Sequence, residues 1–199
     1  MKGWRLCGVV AVLLVAMALL LLVGERSHVD GLRSVIRATA RTSLVLFALA
    51  FTASALVRLW PTGITQWLRR NRRYLGVSFA ISHFIHLAAI VALARVDRDL
   101  FWQLTTPANI VLAGAAYVFI AAMTATSFDR AAAWLGPRKW RLLHLAGGWY
   151  IWVSFAVAAG KRLPVGPVYW AMLGLVVLAG ILRAAATQRQ NRPVPVASS

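Results

Sequence analysis

The sequence predicts an all-α membrane protein, a six-transmembrane-helix bundle, from its composition, its hydropathy and the length of its apolar runs. Of its 199 residues, 60% are hydrophobic and 14% are charged, whereas a soluble domain averages roughly 45–50% apolar and about 25% charged residues. At about 20 residues for each span, the chain is long enough for six helices. The net charge of +17 fits the basic loops of a membrane protein, because a nucleic-acid binder does not carry long uncharged runs.

Six apolar runs with few charged residues mark the spans within a single transmembrane domain of residues 1–185, and residues 186–199 are predicted to form a flexible tail. The first run has a second interpretation as a secretory signal peptide, because Lys2 and Arg5 precede it. No convincing small-x-small cleavage site follows it, so we retain it as a helix. The six runs cover about residues 6–23, 42–57, 74–94, 108–126, 139–160 and 167–183.

The distribution of Lys and Arg predicts that both termini are cytoplasmic. With the N-terminus inside, most Lys and Arg residues fall inside, and four of the five acidic residues fall outside: Glu25, Asp30, Asp97 and Asp99. Arg33, Arg37 and Arg41 follow one another at intervals of four, so a helix would present them as one stripe. That stripe is either a face toward solvent or lipid headgroups, or an anion clamp for a carboxylate-bearing ligand.

Three histidines lie within predicted spans, where polar side chains are expensive and therefore point to function. His83 and His86 share one face of the third span because they are three residues apart, and His144 lies in the fifth span. In this topology the third and fifth helices run parallel. Along the helix axis, His83 and His86 lie roughly 14 and 18 Å from the predicted start of the third span at Tyr74. His144 lies roughly 10 Å from the predicted start of the fifth span at Pro137. We therefore expect the three side chains at similar depth.

Two imidazoles that face each other across a helix bundle can supply both axial ligands of a haem iron. Gly147 and Gly148 follow His144 closely and would let a flat macrocycle approach the backbone. The alternative is that the histidines form hydrogen bonds between helices and bind nothing. Zinc is less favoured, because the spans that hold these histidines contain no carboxylate and no cysteine.

Two segments resemble the ferric-reductase-like transmembrane domain family. One is Arg72-Arg73-Tyr74-Leu75-Gly76 followed by His86, and the other is Trp140-Arg141-Leu142-Leu143-His144. Within that family, the chain resembles the haem-binding membrane subunits of bacterial methionine sulfoxide reductase systems, over about residues 40–160. The resemblance implies a six-helix bundle in a bacterial inner membrane, a b-type haem held by histidines of the third and fifth helices, and electron transfer across the membrane.

The sequence also departs from the family pattern. Family members often carry a second histidine in the fifth helix, and here that position is Val157. Two haems with four histidine ligands are therefore excluded, and one haem b is expected. His144 is the firmer iron ligand. The family motif indicates His86 as the second ligand, whereas His83 fits the expected depth slightly better. Both residues remain candidates for the second ligand.

The expected function is a haem b-binding integral membrane protein that transfers electrons across the membrane, as the membrane subunit of a reductase system or as a quinol-linked carrier. No Gly-x-Gly-x-x-Gly fingerprint follows a strand, so the electron donor would be a separate protein, such as a soluble reductase, or a quinol. Bound FMN or quinone is a further option that no residue pattern supports. The segment Arg69-Arg70-Asn71-Arg72-Arg73 would dock an acidic partner or a cofactor phosphate, or would serve only as the positive-inside signal.

A second expectation belongs to another class, a haem-free integral membrane structural subunit or small transporter. The histidines would then serve packing or proton passage. Unbroken spans without an internal repeat count against a transporter. No Ser-His-Asp set and no pair of carboxylates is present for hydrolysis, so no catalytic residue is assigned.

Overall fold

The computed structural model describes residues 3–190, which form eight α-helices and one short 3₁₀ turn, with no strand among them. Two stretches lie outside the described residues: residues 1–2, which include Lys2, and residues 191–199, which include Arg192 and belong to the predicted tail. The helices are α1 (Trp4–Gly24), α2 (His28–Leu59), α3 (Gly63–Val96), α4 (Arg98–Leu104), α5 (Pro107–Ala125), α6 (Asp129–Leu135), α7 (Pro137–Gly160) and α8 (Pro167–Gln190).

Six of these helices are long and apolar enough to cross a membrane: α1, α2, α3, α5, α7 and α8. The predicted fold class, an all-α bundle with six membrane spans, is confirmed. The helix boundaries differ from the prediction, because α2 begins at His28 and α3 at Gly63, well before their apolar runs. Arginine lowers hydropathy but is a good helix former, so both helices continue through their arginine-rich segments. Similarly, α8 continues to Gln190, through the first residues of the predicted tail.

Capping side chains set these helix starts. The Ser27 hydroxyl accepts a hydrogen bond from the backbone N–H of Asp30 at 3.1 Å, at the start of α2. At the start of α3, Thr62 and Thr65 bond reciprocally in a capping box. Hydropathy does not reveal such caps, which explains why the apolar runs underestimate both helices.

Helix α2 lies at the centre of the bundle and packs against α3, α1 and α8, while α7 packs against α5 and α8. Helices α3 and α7 meet mainly through long aromatic side chains, because Phe155 of α7 contacts the rings of Phe79 and His83. The main core cluster includes these phenylalanines together with Phe47, Phe51, Ile120, Ile151 and Val176.

One end of the bundle carries a concentration of arginines and is called the arginine-rich end: Arg58, Arg69, Arg70, Arg72 and Arg73. Helix α2 ends there and α8 ends beside it, since an Nη1 donor of Arg189 lies 2.9 Å from the Leu59 carbonyl oxygen. Helices α3 and α7 begin at this end, so they run parallel, as the sequence predicted.

Candidate functional site

His83 and His86 lie together on one face of α3, as their spacing predicted. Their ring centroids are 5.3 Å apart and their planes differ by 19°, so the imidazoles are stacked. Because both rings project from the same side of the same helix, they cannot bind opposite faces of one macrocycle.

The ring of His86 is held by α2. Its Nδ1 lies 3.0 Å from the carbonyl oxygen of Ile36 and 3.1 Å from Oγ1 of Thr39. A carbonyl oxygen can only accept a hydrogen bond, so Nδ1 carries the proton and Nε2 carries the free lone pair. A histidine that binds a metal typically has this arrangement, in which the second ring nitrogen donates to a carbonyl oxygen and fixes the ring.

The ring of His83 lies among aromatic side chains and has an unsatisfied nitrogen. Its centroid is 5.0 Å from that of Tyr117 and 5.8 Å from that of Phe155. Among residues 3–190, its buried Nδ1 has no hydrogen-bond partner. Buried polar atoms without a partner are uncommon in folded proteins, so this nitrogen is available to a ligand.

Small hydroxyl side chains continue the polar contact between α2 and α3 beside the histidines. Ser43 Oγ donates to Ser82 Oγ at 2.9 Å, and Ser82 Oγ lies 2.9 Å from Thr42 Oγ1. Ser82 Oγ donates to the Thr39 carbonyl oxygen at 3.3 Å, while the Thr39 hydroxyl donates within α2 to the Val35 carbonyl oxygen at 2.6 Å. These residues were not predicted from the sequence. The available signal was the recurrence of small hydroxyl residues within two apolar helices, which is typical of close helix pairs in membranes.

His144 lies at a different place, near the arginine-rich end. Its Nε2 is 3.2 Å from Oγ1 of Thr126, whose hydroxyl donates to the Ala122 carbonyl oxygen at 2.7 Å. Thr126 therefore accepts a hydrogen bond from His144 Nε2. The imidazole also stacks on the ring of Trp140, with the centroids 4.1 Å apart.

The structure does not bring His144 to the other two histidines. On α7, the residue that contacts His83 is Phe155, which is eleven residues beyond His144. At 1.5 Å per residue, this places His144 about 16 Å from the level of His83 along the helix. A metal–imidazole bond is about 2 Å long, as in zinc sites, so two imidazoles on one iron must lie far closer together. Within the part of the chain that the structure describes, no group of three or more His, Cys, Asp or Glu side chains could hold a metal ion.

The three histidines therefore fit haem unequally. His86 would suit an iron ligand, because its Nδ1–H is held by Ile36 and its Nε2 is free. A single haem bridged by His86 or His83 and His144 does not fit the observed separation. The three histidines were expected at similar depth because distances along α3 were measured from Tyr74, whereas the helix begins at Gly63.

A cavity of about 360 Å³ lies at the arginine-rich end, with His144 in its wall. Its apolar lining includes Phe47, Phe79, Ile120 and Ile151. Gly148, one of the two glycines expected to admit a macrocycle, also lines it. Gly147 is not among the lining residues. A Cβ there would lie 2.5 Å from Met123 Sδ, so this glycine allows α5 and α7 to pack closely.

The other predicted basic features are partly paired within the chain. In the stripe on α2, Arg33 lies 3.8 Å from the Asp30 carboxylate and Arg37 donates to Ser34 Oγ at 2.9 Å. These bonds favour the interpretation of the stripe as a solvated face. Residues 69–73 are helical rather than a loop, and buried Asn71 accepts a hydrogen bond from the backbone N–H of Gly3 at 3.0 Å.

Comparisons of the chain with protein-family models, with curated proteins and with solved structures found no match. The resemblance to the ferric-reductase-like family thus remains a hypothesis that depends on the two sequence segments.

Proposed function

We propose that the chain is an integral membrane protein that binds haem b through His86 and transfers electrons across the bilayer. The observation that carries the proposal is the bond from His86 Nδ1 to the Ile36 carbonyl oxygen, at 3.0 Å. It directs the lone pair of Nε2 away from α2, and no described side chain forms a hydrogen bond with that nitrogen. The single cysteine, Cys7, is consistent with a b-type haem, because c-type attachment uses two cysteines.

The surroundings of His86 support a redox role for such a group. A haem, when bound, supplies a one-electron centre whose potential depends on its axial ligand and on the polarity around it. His86 would hold the iron, and Ile36 and Thr39 would fix the imidazole. The rings of Phe79, Tyr117 and Phe155 would exclude water from the neighbourhood. His83 stacks on His86 from the same helix face, so His86 alone of these two would hold the iron.

The partners follow from the proposed chemistry. The electron donor would be a separate protein, such as a soluble reductase, or a quinol from the bilayer, and the chain would act as the membrane subunit of a reductase system or as a quinol-linked carrier. We place the protein in a bacterial inner membrane with both termini cytoplasmic, since the arginine-rich end then faces the cytoplasm. FMN and a bound quinone are not part of this proposal.

An absorption spectrum tests the proposal directly. The detergent-solubilised protein should show a Soret band and, after reduction with dithionite, an α-band at a b-type position. We expect His86→Ala to lose the Soret band. The matched control is His28→Ala, because His28 is exposed at the start of α2. Free imidazole added to His86→Ala should restore haem binding if the variant is folded and lacks only the ligand.

Two results would overturn the assignment. One is a full Soret band in His86→Ala without added imidazole. The other is loss of the band in His144→Ala together with its retention in His86→Ala, which would place the iron beside the cavity at the arginine-rich end.

A second candidate function is a haem-free structural or transport subunit. It is favoured by one observation, that His86 and His144 each already bond to a partner in the chain, Ile36 and Thr126 respectively. In that case these imidazoles only join neighbouring helices. A featureless visible spectrum from protein made with an ample haem supply would support this candidate over the haem protein.

A further inference from the structure

The cavity at the arginine-rich end contains two guanidinium groups whose contacts are with neutral groups. Arg183 donates to the Phe51 carbonyl oxygen at 3.2 Å, and its guanidinium carbon lies 4.2 Å from the centroid of the Phe51 ring. Arg72 donates to Ser54 Oγ at 3.2 Å. Both side chains line the cavity, and they are close enough to repel each other.

The chain supplies little negative charge to the cavity at the arginine-rich end. In residues 3–190 the cavity has one acidic lining residue, Asp129, whose carboxylate is paired with Arg73 at 2.7 Å and whose side chain is 94% exposed. Arg73 also has a buried Nε without an acceptor, and Arg58 adds to the repulsion on Arg72 and Arg183. Grouped cations that are partly removed from water are costly unless an anion accompanies them. An anion from outside the chain would therefore stabilise this end of the bundle.

The rest of the cavity is suited to an apolar body. The apolar side chains of Phe47, Phe79, Ile120 and Ile151 line the space. Gly76 leaves it open, since a Cβ there would meet nothing within 4 Å. The volume of about 360 Å³ falls within the range of small-molecule sites, about 300–1,000 Å³. An occupant that matches both parts has an anionic head and an apolar body.

We propose that this cavity binds an amphipathic molecule with a phosphate head, held by Arg72 and Arg183 with help from Arg73 Nε. Phosphate is favoured because its several oxygens can accept hydrogen bonds from more than one planar guanidinium. The head would belong either to an anionic phospholipid of the adjacent leaflet or to a soluble phosphate ester with an apolar group. This site is separate from His86 and does not depend on haem binding.

Binding can be measured on delipidated full-length protein in a neutral detergent, through tryptophan emission and the melting temperature. Trp149 and Trp140 are suitable reporters, because Arg183 lies 5.6 Å from the Trp149 ring and Trp140 lines the cavity. Four probes are titrated: phosphatidylglycerol, phosphatidylcholine, phenyl phosphate and inorganic phosphate. Saturable binding of phosphatidylglycerol but not phosphatidylcholine supports the lipid source, and saturable binding of phenyl phosphate well above inorganic phosphate supports the soluble source.

Variants tie the binding to the cavity. Arg72→Gln and Arg183→Gln should each weaken it about tenfold or more, the usual effect of losing a charge-assisted hydrogen bond. The matched control is Arg138→Gln, since Arg138 is exposed and lies outside the cavity. Gly76→Leu provides a second arm that changes no charge, and it should abolish binding by filling the space while the helix remains folded.

Three outcomes would overturn the proposal: none of the amphipathic probes binds saturably, inorganic phosphate binds as tightly as they do, or the cavity variants bind no more weakly than Arg138→Gln.

Discussion

The imidazole of His86 and the carbonyl of Ile36 join α3 to α2 through a hydrogen bond of 3.0 Å within the apolar part of the bundle. The Ile36 oxygen lies within a helix, so its second lone pair receives this bond in addition to the helical one. Replacement of the donor therefore leaves the backbone of α2 intact. Thr39, the other neighbour of His86 Nδ1, is fully buried and offers a mild way to weaken this contact.

We predict that Thr39→Val lowers the free energy of unfolding by about 1 kcal/mol, the usual value of a buried hydrogen bond. The substitution conserves shape and removes the hydroxyl beside His86. The control is Thr124→Val, because Thr124 donates to the Ile120 carbonyl oxygen of its own helix at 2.7 Å and has no described interhelical partner. Thermal unfolding in detergent compares the two variants. Equal destabilisation would show that the contact with His86 contributes nothing.

We predict that Gly180→Ala destabilises the bundle by about 1–3 kcal/mol, as overpacking of a tight contact does. A Cβ at Gly180 would lie 2.8 Å from Cζ2 of Trp152, whose indole N–H is fixed by a bond to the Val176 carbonyl oxygen at 2.8 Å. The matched substitution is Gly174→Ala in the same helix, where a Cβ meets nothing within 4 Å. That change should stabilise the helix by up to about 1 kcal/mol. Opposite shifts of the melting temperature are expected, and a similar shift for both would contradict the close packing of α7 and α8.

The proposed orientation predicts on which side of the membrane a membrane-impermeant thiol reagent can reach an introduced cysteine. His28→Cys, at the start of α2, should be labelled in intact cells, whereas Arg130→Cys, in α6 at the arginine-rich end, should be labelled only after lysis. Both positions are exposed, and the natural Cys7 is 4% exposed, so background labelling should be low. The reverse pattern would place the arginine-rich end outside.

The number and the apolar centres of the six spans could be predicted from the sequence, because a membrane span needs a long run of apolar side chains. The helix ends could not, since Arg33 and Arg72 interrupt the hydropathy of α2 and α3 without interrupting their hydrogen bonds. The caps at Ser27 and Thr62 mark the true starts. Helices α4 and α6, with 7 residues each, are too short to give a hydropathy signal.

The candidate site could be predicted only in part. The shared face of His83 and His86 follows from their spacing and is confirmed. The distance along the helices between this pair and His144 could not be predicted. It depends on how far α3 extends toward the arginine-rich end and on which residue of α7 packs against His83. That packing partner, Phe155, is set by tertiary structure. The cavity was missed because Arg183 and Arg72 are far apart in sequence, and only the folded bundle brings them together.

We predict opposite effects for the same substitution at the two stacked histidines in the haem-free protein. His83→Phe should leave the melting temperature unchanged or raise it, because the new ring remains among Phe79, Tyr117 and Phe155 and the unsatisfied Nδ1 disappears. His86→Phe should lower stability by about 1–3 kcal/mol, because the bond to Ile36 is lost and an aromatic ring is left against the carbonyl oxygen. Thermal unfolding of both variants beside the unchanged protein measures the difference. If His83→Phe is the more destabilising of the two, the imidazole of His83 forms a bond that its surroundings do not reveal, and its Nδ1 is not free for a ligand.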